Sequence, residues 1–415
     1  MSNNHDSEIG NIPDNWNVVQ ITEVVKPEKG SIKIGPFGSQ LKREFLVDEG
    51  IKVYGQENVF KKDYNLGNRF ITNDRYNKLK TCELIPGDII ISMMGTIGFV
   101  DIVPNDIDKG IMDSHLLRIR IDENVIDRKF LLYALKSNVI QNQIDSLSVG
   151  TIMPGLSSRV IKMIRIPKPP LFEQRAIAGV LSSLDDKIDL LHRQNKTLES
   201  LAEALFRQWF VEGTKGGKFS CITELIDINP TRKLPKGQVA PYLEMANVST
   251  TVFHPNDWYD REFTSGMKFV NGDTLIARIT PCLENGKSTY VTFLNDGQVG
   301  WGSTEYLVFH SKGSLHPFFT YALAKCSDFR DYAEGCFEGS SGRQRVNVDH
   351  LTNYKIHIPE DSVIQEFNSM MEAVAPKLHL NFMQIRTLER KRDTLLPKLI
   401  SGDIHIQYEN TLEAT

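Results

Sequence analysis

The sequence predicts an α+β chain built twice over. Two similar globules are joined by two long antiparallel coiled-coil helices, and the halves are related by a pseudo-twofold internal repeat. Three observations predict this. Short phrases recur in the same order in both halves, each globular stretch is rich in brief β-branched runs between Gly, Pro and Asn signals, and each half closes on a long stretch with heptad spacing.

The repeat comes first. Ile21-Thr22-Glu23-Val24-Val25 returns as Ile222-Thr223-Glu224-Leu225-Ile226, and Gln56-Glu57-Asn58-Val59 as Met245-Ala246-Asn247-Val248. Gly87-Asp88-Ile89-Ile90-Ile91 is echoed by Gly272-Asp273-Thr274-Leu275-Ile276, and Phe130 with Tyr133-Ala134-Leu135 by Phe318 with Tyr321-Ala322-Leu323. Gly150 and Ile164-Arg165-Ile166-Pro167 then match Gly342 and Ile356-His357-Ile358-Pro359. One short match is chance; five in one order are a repeat. The divisions are a first globule at 1–170, a first helix at 171–213, a second globule at 214–360, a second helix at 361–405 and a tail at 406–415.

Within the globules, Asp88-Ile89-Ile90-Ile91-Ser92 and Leu116-Leu117-Arg118-Ile119-Arg120-Ile121 read as strands. Arg128 to Ser137 and His316 to Cys326 read as short helices. Lys168-Pro169-Pro170 holds the chain extended before the first long helix. In that helix Leu184, Ile188, Leu191, Asn195, Leu198, Ala202, Leu205 and Trp209 are spaced alternately four and three. Val374, Leu378, Asn381, Ile385, Leu388, Arg392, Leu395 and Leu399 repeat the spacing at a constant offset of 190, and Gly402 is a stop signal. Each seam could be the inner face of a surface helix lying on its own globule. Polar residues inside both seams, and opposite charge balances, favour pairing the helices with each other. Lys377 to Leu399 holds six basic and two acidic residues, Glu173 to Glu212 five basic and seven acidic. A helix of about 35 residues spans roughly 50 Å, so an antiparallel pair would put the globules at its two ends.

Composition bounds the function. The 415 residues are 40% hydrophobic and 24% charged, with a net charge of −4, enough for two or three domains with their own cores. No run approaches a membrane span, and the first residues carry neither a basic nor an apolar leader segment. Five scattered cysteines without a CxxC pair fit a reducing cytoplasm rather than disulfides or zinc. Mild acidity excludes coating nucleic acid by bulk charge but allows a local DNA-binding face. Catalytic motifs are missing. Pro281-Cys282-Leu283-Glu284-Asn285-Gly286-Lys287-Ser288 lacks the first glycine of a phosphate loop, there is no GxSxG, HExxH or strand-following GxGxxG, and the ten histidines form no ligand cluster. With no reaction centre and no metal set, the chain reads as a binder.

Taken in order, several phrases resemble the DNA specificity subunits of type I restriction–modification systems. They are Gly35-Pro36-Phe37-Gly38-Ser39-Gln40-Leu41-Lys42, Gly50-Ile51-Lys52-Val53-Tyr54-Gly55-Gln56-Glu57-Asn58-Val59 and Pro169-Pro170-Leu171-Phe172-Glu173-Gln174 in the first half. In the second half they are Gly272 to Lys287 and Ser340-Ser341-Gly342-Arg343-Gln344-Arg345-Val346; the second helix opens on Val363-Ile364-Gln365-Glu366, short of the fuller Pro-Pro-Leu-x-Glu-Gln form. The resemblance implies a non-catalytic chain in which each globule is a target recognition domain for one half of a bipartite DNA sequence. It further implies that the helix pair sets the spacer and docks two modification subunits. Those subunits would use S-adenosylmethionine to methylate adenine, and separate motor and nuclease subunits would use ATP and magnesium.

Phosphate positioning needs Lys, Arg and Gly-rich backbone, and base reading needs Arg, Lys, Asn and Gln. Candidates in the first globule are Ser39, Gln40, Lys42, Arg43 and Gln56, followed by Thr96 and Arg159. In the second they are Arg278, Thr280, Lys287, Arg343, Gln344 and Arg345. Any one of these could equally be a solvated or turn-satisfying side chain. Gly35-Pro36-Phe37-Gly38, Gly87-Asp88 and Gly272-Asp273 read as turns. Two alternatives stay open: a recognition subunit of another modification or phage-defence system, and a protein-interaction scaffold that binds no DNA.

Overall fold

The computed structural model describes residues 4–406 except 8, 95–96, 149–156, 214–215 and 341. The chain forms two compact units, Met1–Asp186 with Leu388–Thr415, and Lys187–Thr387. Both boundaries fall inside the long helices, so each unit takes a piece of each.

In unit 1 the run Ile89–Ser92, wholly buried, lies inside a four-stranded antiparallel sheet in the order Val100–Ile102, Ile89–Ser92, Leu116–Ile119, Ile32–Ile34. Three β-branched residues in a row suit a strand covered on both faces. Unit 2 repeats the order with Ser288–Tyr290, Thr274–Ala277, Tyr306–Ser311 and Ile226–Ile228. A second sheet in unit 1 pairs Ile51–Tyr54 in parallel with Gly110–Met112; in unit 2 Val239–Leu243 pairs in parallel with Gly300–Gly302. Unit 1 adds one short edge strand, Leu46–Val47. Each globule is closed by its own two-stranded ribbon, Asn17–Gln20 against Arg165–Lys168 and Lys218–Cys221 against Lys355–Ile358.

The turns before the central strands use the same device twice. Gly87 and Gly272 have φ of 86° and 89°, a region that favours glycine. Beyond them, Asp88 Oδ2 accepts from the Ile85 amide at 3.0 Å and Asp273 Oδ2 from the Val270 amide at 2.9 Å.

The first long helix spans Leu171–Phe206 and continues through a π turn at Arg207–Val211; the second spans Asp361–Ser401, ending just before Gly402. Within unit 1, Leu399 and Ile400 share a core with Ile177, Ala178 and Leu181, while Arg392 reaches Asp185. Within unit 2, Phe367 packs on Phe210 and Asn381 reaches Asn195. In each unit the two helices therefore run antiparallel and pack on each other. Among the described residues no helix is long and apolar enough to cross a membrane.

Candidate nucleic-acid interface

In unit 2 Arg278 follows directly on the C-terminal end of the buried inner strand Thr274–Ala277. There the Arg278 amide donates to the Glu305 carbonyl at 2.9 Å, and the Val346 amide to the Arg278 carbonyl at 2.9 Å. Thr280 and Gln344 clasp each other, amide to carbonyl at 3.1 Å and amide to Oγ1 at 3.1 Å. The Arg345 guanidinium lies bidentate on Glu305, Nε at 2.9 Å from both oxygens and Nη2 at 2.7 Å from one. Such a fork fixes the arginine plane, the geometry that arginine uses on guanine. Hydrogen bonding to Glu305 also holds Arg345 above its ordinary pKa. Arg278, Arg345, Glu338 and Asn347 line an open cleft of about 550 Å3.

Arg278, Thr280, Gln344 and Arg345 thus meet in one place. Arg343 is exposed on the adjoining turn, its amide bonded to the Ser340 carbonyl at 3.1 Å. Lys287 points elsewhere: its ammonium donates to the Met245 carbonyl at 2.9 Å, a brace between loops. Glu305 escaped the sequence reading. The available signal was positional, since Ser303-Thr304-Glu305 leads into its strand as Asp113-Ser114-His115 leads into Leu116.

Unit 1 builds the same frame with other side chains. Met93 stands where Arg278 stands and His115 where Glu305 stands, and the Met93 amide donates to the His115 carbonyl at 2.8 Å. Ser39 and Gln40 are exposed on the turn Gly38–Gln40. Their carbonyls accept from Arg75, which stacks 3.7 Å from the Phe45 ring centroid. Lys42 and Arg43 follow, also exposed, with Lys42 3.5 Å from Glu44. Gln56 opens the separate helix Gln56–Lys61, where its Oε1 is buried without a partner among the described residues. Arg159 is exposed on the helix Ser158–Met163. Thr96 lies outside the described residues, as do Ser341 and Gly150.

The helix seams lie inward. Ile188, Leu191, Ala202, Trp209, Val374, Leu378, Asn381, Ile385 and Leu399 are buried, and Leu184, Asn195, Leu198, Leu205, Leu388, Arg392 and Leu395 half-buried. Burial would raise the pKa of Asp185, but hydrogen bonds from Arg392 and Tyr133 outweigh it and hold the carboxyl below its ordinary value. Among the described residues no group of His, Cys, Asp or Glu is arranged to hold a metal ion.

Residues 13–200 match the family model of the type I restriction modification DNA specificity domain. Along 97% of its length the chain is 24% identical to the specificity subunit of the type I restriction enzyme MjaIX of Methanocaldococcus jannaschii, covering 96% of that protein. Residues 13–200 thus carry the DNA specificity domain of type I restriction–modification systems, and along nearly its whole length the chain is similar to their specificity subunits. The MjaVIII specificity subunit of the same organism is 31% identical over 198 residues, 46% of this chain and 45% of that protein. In fold, the type I S subunit from M. genitalium aligns with a TM-score of 0.57 at 17% identity, over 93% of this chain and 96% of that one. The fold, two mixed globules and two long helices, is thus shared with that S subunit.

Proposed function

We propose that this chain is a specificity subunit that reads a bipartite DNA target, one half with each globule, and itself performs no chemistry. The observation that carries the reading is the twice-built frame. The same backbone hydrogen bond displays Met93 and His115 in one globule, Arg278 and Glu305 in the other, as two readers of unlike half-sites require. Arg278, Arg345, Gln344 and Thr280 supply the groups that contact base edges, with Arg343 on phosphate; Ser39, Gln40, Lys42 and Arg43 take the same roles in the first globule. The helix pair is the spacer ruler, with the globules at 1–170 and 214–360 and the helices at 171–213 and 361–405. Leu190, Leu201, Leu380 and Met383, between 39% and 50% exposed on the long helices and unused by the seam, offer apolar surface to two adenine-N6 methyltransferase subunits. Those bind S-adenosylmethionine, and motor and nuclease subunits use ATP and magnesium, all in the cytoplasm.

The test is a genome-wide map of N6-methyladenine by single-molecule sequencing in the source cell. Deleting the gene is expected to erase one two-part motif. Replacing Arg345 with Ala weakens the second half-site by about 1–3 kcal/mol per lost base contact and leaves recognition of the first half intact. Identical maps with and without an expressed gene would favour a scaffold that binds no DNA.

A further inference from the structure

The polar residues inside the two seams each meet a polar partner on the other long helix, and the repeat-related positions are not polar at all. In unit 1, Arg392 Nη1 donates to Asp185 Oδ1 at 2.9 Å. Shifting each residue by the constant offset of 190 leads to Ala375 and Ala202, both buried in the unit 2 core. In unit 2, Asn381 Nδ2 donates to Asn195 Oδ1 at 2.8 Å. The same shift leads to Ile385 and Leu191, both also buried. Each polar pair therefore has an alkyl pair as its counterpart.

We infer that the seam recognises only the opposite half of this chain and rejects a second copy of its own half. Pairing the first long helix with itself in the observed register would set Asp185 against Ala202 and Asn195 against Leu191. Pairing the second with itself would set Arg392 against Ala375 and Asn381 against Ile385. Each homotypic pair would set Asn195 or Asn381 against an alkyl side chain, which is expensive. It would also leave Asp185 with Tyr133 alone or Arg392 with its neighbour Asp393 alone, whereas the heterotypic pair joins asparagine to asparagine and arginine to aspartate. The device costs stability even when correctly paired, because Asn381 Oδ1 has no partner among the described residues. A polar contact retained at a loss is what fixes register and partner choice in coiled coils. The inference rests on the helix pair alone and does not depend on which DNA the globules read.

The experiment places a protease site in the connection at 213–217 of the full chain, cuts the folded protein, and unfolds and refolds the equimolar fragments. Native mass spectrometry then counts the dimers. Heterotypic dimers should exceed homotypic ones by at least about tenfold, the ratio one orphaned buried polar group imposes. A statistical mixture, in which about half the dimers are homotypic, overturns the inference. The uncut chain supplies a second measurement that needs no refolding of fragments. Asn381→Leu alone should lower Tm, whereas Asn195→Ile with Asn381→Leu should restore or exceed the original value. If the single variant is as stable as the double, the asparagines are not a matched pair and the inference falls.

Discussion

The two units carry the same strands in the same order, yet they are filled with different matter. Unit 1 is packed largely with isoleucine: Ile21, Ile89, Ile91, Ile119, Ile126, Ile140, Ile144, Ile161, Ile164 and Ile166 are all essentially inaccessible. Unit 2 is packed with rings. Phe319 lies 5.2 Å from Phe206, 4.9 Å from Phe210 and 6.3 Å from Phe367, while Phe253 contacts Phe318 and Tyr321. The repeat constrains volume and strand order, not chemistry. Aliphatic and aromatic cores both satisfy the same frame, because dense packing rather than any particular pair of side chains is what the fold demands.

The buried aspartates show the same divergence. Asp88 takes Arg120 bidentately, at 2.8 and 2.9 Å, with Arg118 buried 4.0 Å away. Asp273 takes Arg232 at 3.0 Å and His310 at 2.7 Å, partners that still reach water. Unit 2 also collects the buried histidines. His254 stacks on Phe382 and sits 3.4 Å from Thr292 Oγ1, which is itself 3.0 Å from His379 on the second long helix.

The largest effect should come from the ring cluster. Phe319→Ala is expected to destabilise unit 2 by about 3–5 kcal/mol, and its counterpart Leu131→Ala to destabilise unit 1 by about 2–5 kcal/mol, read by urea unfolding with hydrogen exchange assigning each loss to its unit. A loss spread evenly over both units would mean that the cores are not separate. Next comes Asp88→Ala, at about 3–5 kcal/mol, because it strands the Arg118 charge in the core. Asp273→Ala should cost less, about 1–3 kcal/mol, since Arg232 and His310 can turn to solvent; equal costs would remove the distinction. The smallest effect is acid sensitivity. Burial holds His254 well below the ordinary histidine pKa, with His316 and His379 lowered for the same reason. Below that ordinary value the unfolded chain binds protons that the folded unit 2 refuses, so unit 2 loses stability as pH falls. The slope is at most about 1.4 kcal/mol per pH unit for each group. His254→Gln should flatten it, and an unchanged slope in that variant would show that another group carries the acid response.

Much of this was legible in the chain. The repeat survives as short phrases, the seams as a heptad, and Asp88 to Ser92 as a strand, because each is a local pattern. What sequence could not show is who meets whom. Asn195, Asn381 and Arg392 stand out as interruptions of the seam, but Asp185 is off the seam, and only the antiparallel register brings it to Arg392. Arg75 beneath Ser39 and Gln40, and Glu305 beneath Arg345, act across 35 to 40 residues of chain. The two-residue strands Leu46–Val47 and Glu83–Leu84 exist only through their neighbours in the sheet.

The ribbons that close each globule have a consequence for how such a molecule can change. Asn17–Gln20 and Arg165–Lys168 lie side by side, as do Lys218–Cys221 and Lys355–Ile358, so the chain enters and leaves each globule through one doorway. Everything between the paired strands is, topologically, an insertion with a fixed socket. A foreign globule bearing the same two strands could be spliced in without disturbing the helix that follows.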